Sequence, residues 1–292
     1  MDPQTELFLP VPEPASSAAR AGDDVGRADV RFTPSAPDAP HAERMPASTR
    51  ADVFPAPPAS SLPAEQRIAI LHALLALTAP VRAGGKAAGW LKRRRVFKKT
   101  WDAQGLRVVE NYRRASEALQ ARYPLADLQA CGLFNKEGHL RFYRHSLLVP
   151  WWEGGGAVYL EALAPEADAA PPRLTTTGPA PCPYNAALLD GAPGRLYLCA
   201  GSLQALKVME AGFPAVGLPD AGEGGKDPGQ IIFNKSWLPR FHSKSVYVAF
   251  DSDAAGEAAA ARVIAQLAAG GVEAYRLAAP AGKDIVTRMT GP

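Results

Sequence analysis

The order of apolar runs over the last hundred residues limits the folds open to this chain more than any other feature. Arg195 to Ala200 (RLYLCA) reads as a buried strand, Leu203 to Ala211 as a helix and Ala215 to Leu218 as a second strand. After a glycine-rich loop come the strand-like Ser245 to Phe250 (SVYVAF), an alanine-rich helix from Ala254 to Ala269 closed by Gly270-Gly271, and a fourth strand-like run, Val272 to Leu277. Short apolar runs without polar alternation suit strands covered on both faces. Repeated β-α-β units of this length require a parallel sheet with helices packed against it, because parallel neighbours need a crossover connection. The fold class expected is α/β.

The opposite end of the chain contrasts with this. Twelve of the 28 prolines fall within the first 63 residues, among Ala, Ser, Asp and Arg and few large apolar side chains. Such a segment buries too little surface to offset an ordering cost of roughly 1–2 kcal/mol per residue, so residues 1–62 are expected to be a disordered tail. An apolar island such as Leu7-Phe8-Leu9 could dock a partner. From Pro63 onward, Ile68, Leu71, Leu74 and Leu75 recur at helical spacing. A second helix is expected from about Leu106 to Tyr123, followed by strands over Leu140 to Val149 and Ala157 to Leu163 around the turn residues Glu153-Gly154-Gly155-Gly156. Residues 165–192 read as a long ordered connection. The domains expected are therefore a tail (1–62), an α+β subdomain (63–190) and the α/β unit (191–292).

The longest apolar stretch, Ile68 to Thr78, is interrupted by His72 and falls short of the roughly 20 residues a spanning helix needs. With no basic region leading into an apolar core at the N-terminus, a cytoplasmic protein with no membrane partner is expected. Cys131, Cys182 and Cys199 are odd in number and widely spaced, which suits buried thiols rather than disulfides or a structural zinc site. The five histidines are equally scattered.

Net charge is only +3, but eight basic residues and no acidic one lie between Arg82 and Trp101. Among them Lys92, Arg93, Arg94, Arg95, Lys98 and Lys99 form a block that suits a phosphate backbone, whose binding releases condensed counterions; a solvated basic face without a ligand is the alternative.

Ligands of open parallel sheets bind outside the carboxyl ends of the strands. There this chain delivers Asp251-Ser252-Asp253 with Ala254-Ala255-Gly256 immediately after, and later Gly282-Lys283-Asp284. Carboxylates at this spacing suit Mg²⁺ or Mn²⁺ bridged to phosphates, though Asp251 and Asp253 could equally cap the helix that follows. The Gly-Gly-Lys within Asp220 to Gly229 lacks the spacing of a phosphate loop. Trp151-Trp152 suits either base stacking or core packing.

Taken together, LYLCAG (196–201), AGFPAVGL (211–218), AFDSDAAG (249–256) and PAGKD (280–284) resemble the Toprim domain shared by bacterial primases, topoisomerases and some nucleases. The resemblance implies a Rossmann-like domain with a parallel central sheet. Leu125 to Leu133, Tyr143-Arg144 leading to Leu147-Leu148-Val149-Pro150, and Pro172-Arg173-Leu174-Thr175 resemble the preceding subdomain of the catalytic core of bacterial replicative DNA primases. This implies Asp251 and Asp253 as catalytic metal ligands with Asp284 in support, and Lys283, Arg144 and Arg173 facing triphosphate or template phosphates. It further implies single-stranded DNA or a DNA/RNA hybrid, nucleoside triphosphates, and a helicase or another replication or mobile-element protein as partners.

The departures are equally specific. The family carries a glutamate where this chain has Ala200, an aspartate where it has Gln204 and an arginine where it has Ser146. No Cys/His spacing matches the zinc module that usually precedes the core, so template recognition is expected from a partner or from the basic block. RNA primer synthesis is one reading. A nucleic-acid-binding module of the same fold is the alternative, and a nuclease fits less well because it too relies on the missing glutamate.

Overall fold

The computed structural model describes residues 62–165, 173–192, 194–219, 231–277 and 286, all within the compact unit Ala56–Pro292. The tail up to residue 61, the glycine-rich loop 220–230, Lys283 and Asp284 lie outside the described residues.

Helix α1 (Ala64–Ala76) starts directly after Pro63 and buries Ile70, Leu71, Leu74 and Leu75. Strand β1 (Ala79–Pro80) follows, then α2 (Lys86–Arg93), α3 (Lys98–Ala103) and β2 (Arg107–Val108). The helix expected from about Leu106 begins instead at Tyr112, as α4 (Tyr112–Arg122), because Arg107 and Val108 pair with the next strand and the Asn111 side chain caps the helix by accepting from Arg114 N. Helix α5 (Leu125–Ala130) leads through a single 3₁₀ turn at Arg141–Tyr143 into β3 (Leu147–Glu153) and β4 (Gly156–Leu163). These two strands form a hairpin whose loop, Gly154-Gly155, has φ of 58° and 81° at its two residues, the twist-matched geometry that favours glycine. Strand β5 (Arg173–Thr175) completes a five-stranded antiparallel sheet in the order β1-β2-β3-β4-β5.

Next come β6 (Gly194–Ala200), α6 (Gly201–Glu210), β7 (Ala215–Leu218), α7 (Leu238–Phe241), β8 (Lys244–Ala249), α8 (Ala254–Ala269) and β9 (Ala274–Arg276). Their strands form a parallel sheet in the order β7-β6-β8-β9. The α/β class is thus present, with an antiparallel sheet ahead of a parallel one. One face of the parallel sheet packs Leu196, Leu198, Val246 and Val248 against Ala260, Val263 and Leu267 of α8. On the other face, Cys199 and Ala215 join Leu206 and Val208 of α6 in a core that also holds Trp90, Trp101, Leu147 and Trp151. At roughly 1.5–3 kcal/mol for each large side chain removed from water, this shared core binds α2, α3 and β3 firmly to α6.

All three cysteines are free and buried, and burial pushes the Cys131 thiol up to about 11 and that of Cys182 to about 12. Of the Trp151-Trp152 pair, Trp151 is core, its ring meeting Tyr159 and Tyr184 edge-on, and Trp152 stands half-buried against His72. Among the described residues no helix is long and apolar enough to cross a membrane.

Candidate nucleic-acid and metal site

Strands β6 and β8 run side by side, with Cys199 in register with Ala249, so Ala200 and Asp251 emerge next to one another at the carboxyl edge. The chain builds β7 on one side of β6 and β8 on the other. Their ends therefore form the switch-point crevice where ligands of such sheets bind.

Gln204, one turn into α6, spans the crevice floor. Its carbonyl oxygen accepts from Ala200 N at 2.8 Å and its amide nitrogen donates to Asp251 Oδ1 at 3.2 Å. Asp253 is the N-cap of α8, with Oδ1 accepting from Gly256 N at 2.7 Å. Both aspartates are exposed. The turn between them is fixed from behind by Arg276 on β9, which donates to the carbonyls of Val248, Phe250 and Asp251 at 3.0–3.3 Å and to both carboxylate oxygens of Glu257. The hydrogen bond from Arg276 holds the Glu257 carboxyl below its usual range. Nothing in the sequence singles out Arg276, because its partners are main-chain carbonyls in and just after β8 and a carboxylate 19 positions away.

A second element of the crevice also escapes sequence reading. Glu161 on β4 is buried, accepting from Arg173 Nη1 at 2.9 Å through one oxygen and from the Ser202 hydroxyl through the other. Arg173 Nη1 lies 3.2 Å from the point that a Cβ on Gly201 would occupy, so its guanidinium stands directly beside the start of α6. Arg173 therefore stands beside the start of α6, ion-paired to a carboxylate of the antiparallel sheet.

Among the described residues no three His, Cys, Asp or Glu side chains come together as a metal site. Asp251 and Asp253 each have one oxygen engaged, by an amide and by a helix cap. Among the described residues, these two carboxylates alone are too few for a two-ion centre.

The basic block lies along α2 and α3. Lys92, Arg93, Arg95, Lys98 and Lys99 are exposed, while Arg94 is half-buried with its guanidinium 3.7 Å from the centre of the Trp90 ring. Burial, together with the neighbouring Arg93 charge, lowers the pKa of Arg94. Lys98 pairs with Asp102 one turn on, and Glu210 at the end of α6 accepts from Phe97 N at 2.9 Å, tying the block to the parallel sheet. Arg144 is exposed, its guanidinium 5.6 Å from the Tyr143 ring centre.

Comparison with known proteins now bears on this arrangement. Residues 233–290 match the Toprim domain model, and no curated protein sequence matches the chain. Among solved structures, the zinc-binding and RNA polymerase domains of Aquifex aeolicus primase align with a TM-score of 0.61 at 16% identity, covering 78% of this chain and 59% of that one. A DnaG primase catalytic domain bound to single-stranded DNA aligns at 0.60 and 16% identity, covering 78% of each chain. The RNA polymerase domain of Mycobacterium tuberculosis DnaG aligns at 0.58 and 18% identity, covering 77% of this chain and 79% of that one. The fold is that of a primase catalytic core. In this primase-like fold both sheets are retained, whereas the crevice between β6 and β8 carries Ala200 and Gln204. The chain spans 59% of the length of the Aquifex structure it matches.

Proposed function

We propose that this protein is a primase-like nucleic-acid-binding module that holds a template strand without efficient primer synthesis. The observation that carries this reading is the Gln204 amide joined to Ala200 N and Asp251 Oδ1. Where the resemblance implies two carboxylates, at 200 and 204, there is a methyl group and a neutral amide, and that amide donates to a carboxylate oxygen that a cation would otherwise engage. Two-ion phosphoryl transfer needs one ion to activate the attacking oxygen and another to stabilise the leaving group. Asp251 and Asp253, with Asp284 beyond the described residues, suit at most one Mg²⁺ or Mn²⁺ that keeps several waters.

Strand binding is supported by the exposed basic residues of α2 and α3, and triphosphate contact by Arg144 together with Lys283. Arg173, held by Glu161, contributes less than a free cation would. A helicase or another replication or mobile-element protein is the class of partner that would present the strand.

The test measures binding of labelled single-stranded DNA and primer synthesis with Mn²⁺ for this chain, Ala200→Glu and Asp251→Ala/Asp253→Ala. Salt-sensitive binding without primers is expected from the unmodified chain. Changing Arg93, Arg94 and Arg95 to Ala should reduce the slope of log affinity against log salt by about 2. Primers made by the unmodified chain and lost in the double aspartate variant would overturn the reading, as would failure to bind the strand at low salt.

A further inference from the structure

Five large apolar or aromatic side chains stand exposed among the described residues, and two of these, Tyr112 and Tyr143, touch across 31 positions of sequence. Tyr112 opens α4 behind the Asn111 cap, and Tyr143 ends the 3₁₀ turn whose previous residue, Phe142, is fully buried. The rings are 50% and 55% exposed, with centroids 6.2 Å apart and planes inclined by 54°. Both backbones are anchored by their neighbours, Tyr112 by the capped helix start and Tyr143 by Phe142, so the rings are held at the surface with about half of each residue open to water. Two rings in contact and half-open to water beside positive charge suit a ligand with flat apolar faces and an anionic backbone.

Charge around the pair favours that ligand. Arg113, Arg114 and Arg144 are all exposed, the Arg144 guanidinium lies against the Tyr143 ring, and the nearby acid Glu110 is already engaged by Arg82 at 3.6 Å. Glu110 and Ser146, two and three residues along the chain from Tyr112 and Tyr143, line a cavity of about 510 Å³ together with Arg82 and Lys86.

We propose that Tyr112 and Tyr143, with Arg144, form a base-stacking platform for single-stranded nucleic acid, separate from the basic block of α2 and α3. Resting on the functional reading above, it assigns the unpaired bases to the two rings and leaves the phosphates to Arg144. Stacking of this kind tolerates any sequence because every base presents a π-face.

The test uses fluorescence anisotropy with the full chain and three probes: labelled oligothymidylate, an abasic strand of equal length, and polyglutamate as competitor. Tyr112→Ala/Tyr143→Ala should weaken oligothymidylate binding by about tenfold or more, on the usual scale of base–aromatic stacking, with no change in salt slope and none in abasic-strand affinity. Tyr112→Phe/Tyr143→Phe should bind as the unmodified chain does. If the alanine pair binds oligothymidylate normally while Arg93→Ala/Arg94→Ala/Arg95→Ala does not, the platform is refuted and the nucleic-acid reading stands. Polyglutamate competing as well as oligothymidylate would show a surface reading charge alone, and would also refute it. If the unmodified chain fails to bind any strand, the functional reading falls and the platform with it.

Discussion

Gly256→Ala offers a test in which two known effects oppose each other and geometry decides the sign. Gly256 is the third residue of α8, and in an open helical position alanine is favoured over glycine by up to about 1 kcal/mol. Here a Cβ would sit 2.1 Å from Asp251 O and 3.1 Å from Asp253 Oδ1, against a floor of 3.0 Å for real contacts. Main-chain atoms of the strand-end turn would have to retreat by about 0.9 Å. That turn is pinned by Arg276, and Gly256 N is itself the partner of the Asp253 cap, so the displacement strains several contacts together. Overpacking of this kind costs about 1–3 kcal/mol, and the net effect should be a loss of about 1–2 kcal/mol. For a unit of this size the thermal midpoint should fall by roughly 2–8 °C. Gly89→Ala in α2 is the control. Its nearest neighbour is Arg93 Nη1 at 3.7 Å, ordinary contact with a flexible group, so only the helix preference acts and the midpoint should rise by about 2–4 °C. Both variants can be compared with the unmodified chain by circular-dichroism melts and urea titration. A Gly256→Ala protein as stable as the unmodified chain, or shifts of the same sign in the two variants, would refute the close approach of α8 to the Asp251 carbonyl.

Three further outcomes follow from the same geometry. Glu161→Ala leaves the Arg173 guanidinium and the Ser202 hydroxyl without their buried partner; urea unfolding should show a loss of about 3 kcal/mol, and a loss below about 1 kcal/mol would mean that the pair holds nothing together. His72 accepts from Ala157 N at 2.9 Å through Nε2, and burial lowers its pKa below the ordinary 6.5, so the unfolded chain binds the proton more readily. Stability should be full above about pH 6.5 and fall as pH drops below it, a dependence that melts of His72→Gln should lack; an equal acid response in the two proteins would exclude His72 as its source. Strand binding at low salt should be unaffected by EDTA, and a large loss of affinity in the chelator would show that divalent ions carry the complex.

The parts of the fold legible in the sequence were those whose side chains are apolar for one reason only. Strands β6, β7 and β8 and helix α8 lie within a residue or so of the runs that announced them, since both faces of the parallel sheet are covered. The stretch from Leu106 to Val109 misled because apolar residues three apart fit a helix as well as a two-residue strand flanked by turns. Only pairing with Leu147 and Leu148 decides between them. In the site, Asp251 and Arg173 were named through the resemblance, whereas nothing in the sequence singled out Glu161. Its role depends on Ser202, 41 positions away. Gln204 was visible as a departure, but the two-ended hydrogen bond that gives the departure chemical content required β6 and β8 to be adjacent.

That hydrogen bond also changes what the crevice does electrostatically. A cluster of carboxylates at the end of a parallel sheet repels a polyanion unless divalent ions neutralise it, and such a site accepts phosphate only through its metals. Here two of the implied acids are replaced by Ala200 and Gln204, Asp251 accepts a neutral donor, Asp253 faces the amino end of α8 where the helix dipole offsets its charge, and Glu161 is paired with Arg173. Among the described residues, the acids left at the crevice floor are Asp251 and Asp253, each with one oxygen hydrogen-bonded. The same replacements that remove the basis for two-ion chemistry therefore lower the barrier to holding a phosphodiester strand without ions. Under the proposed function, the absence of synthesis and the binding of a strand would be two consequences of one rearrangement of charge.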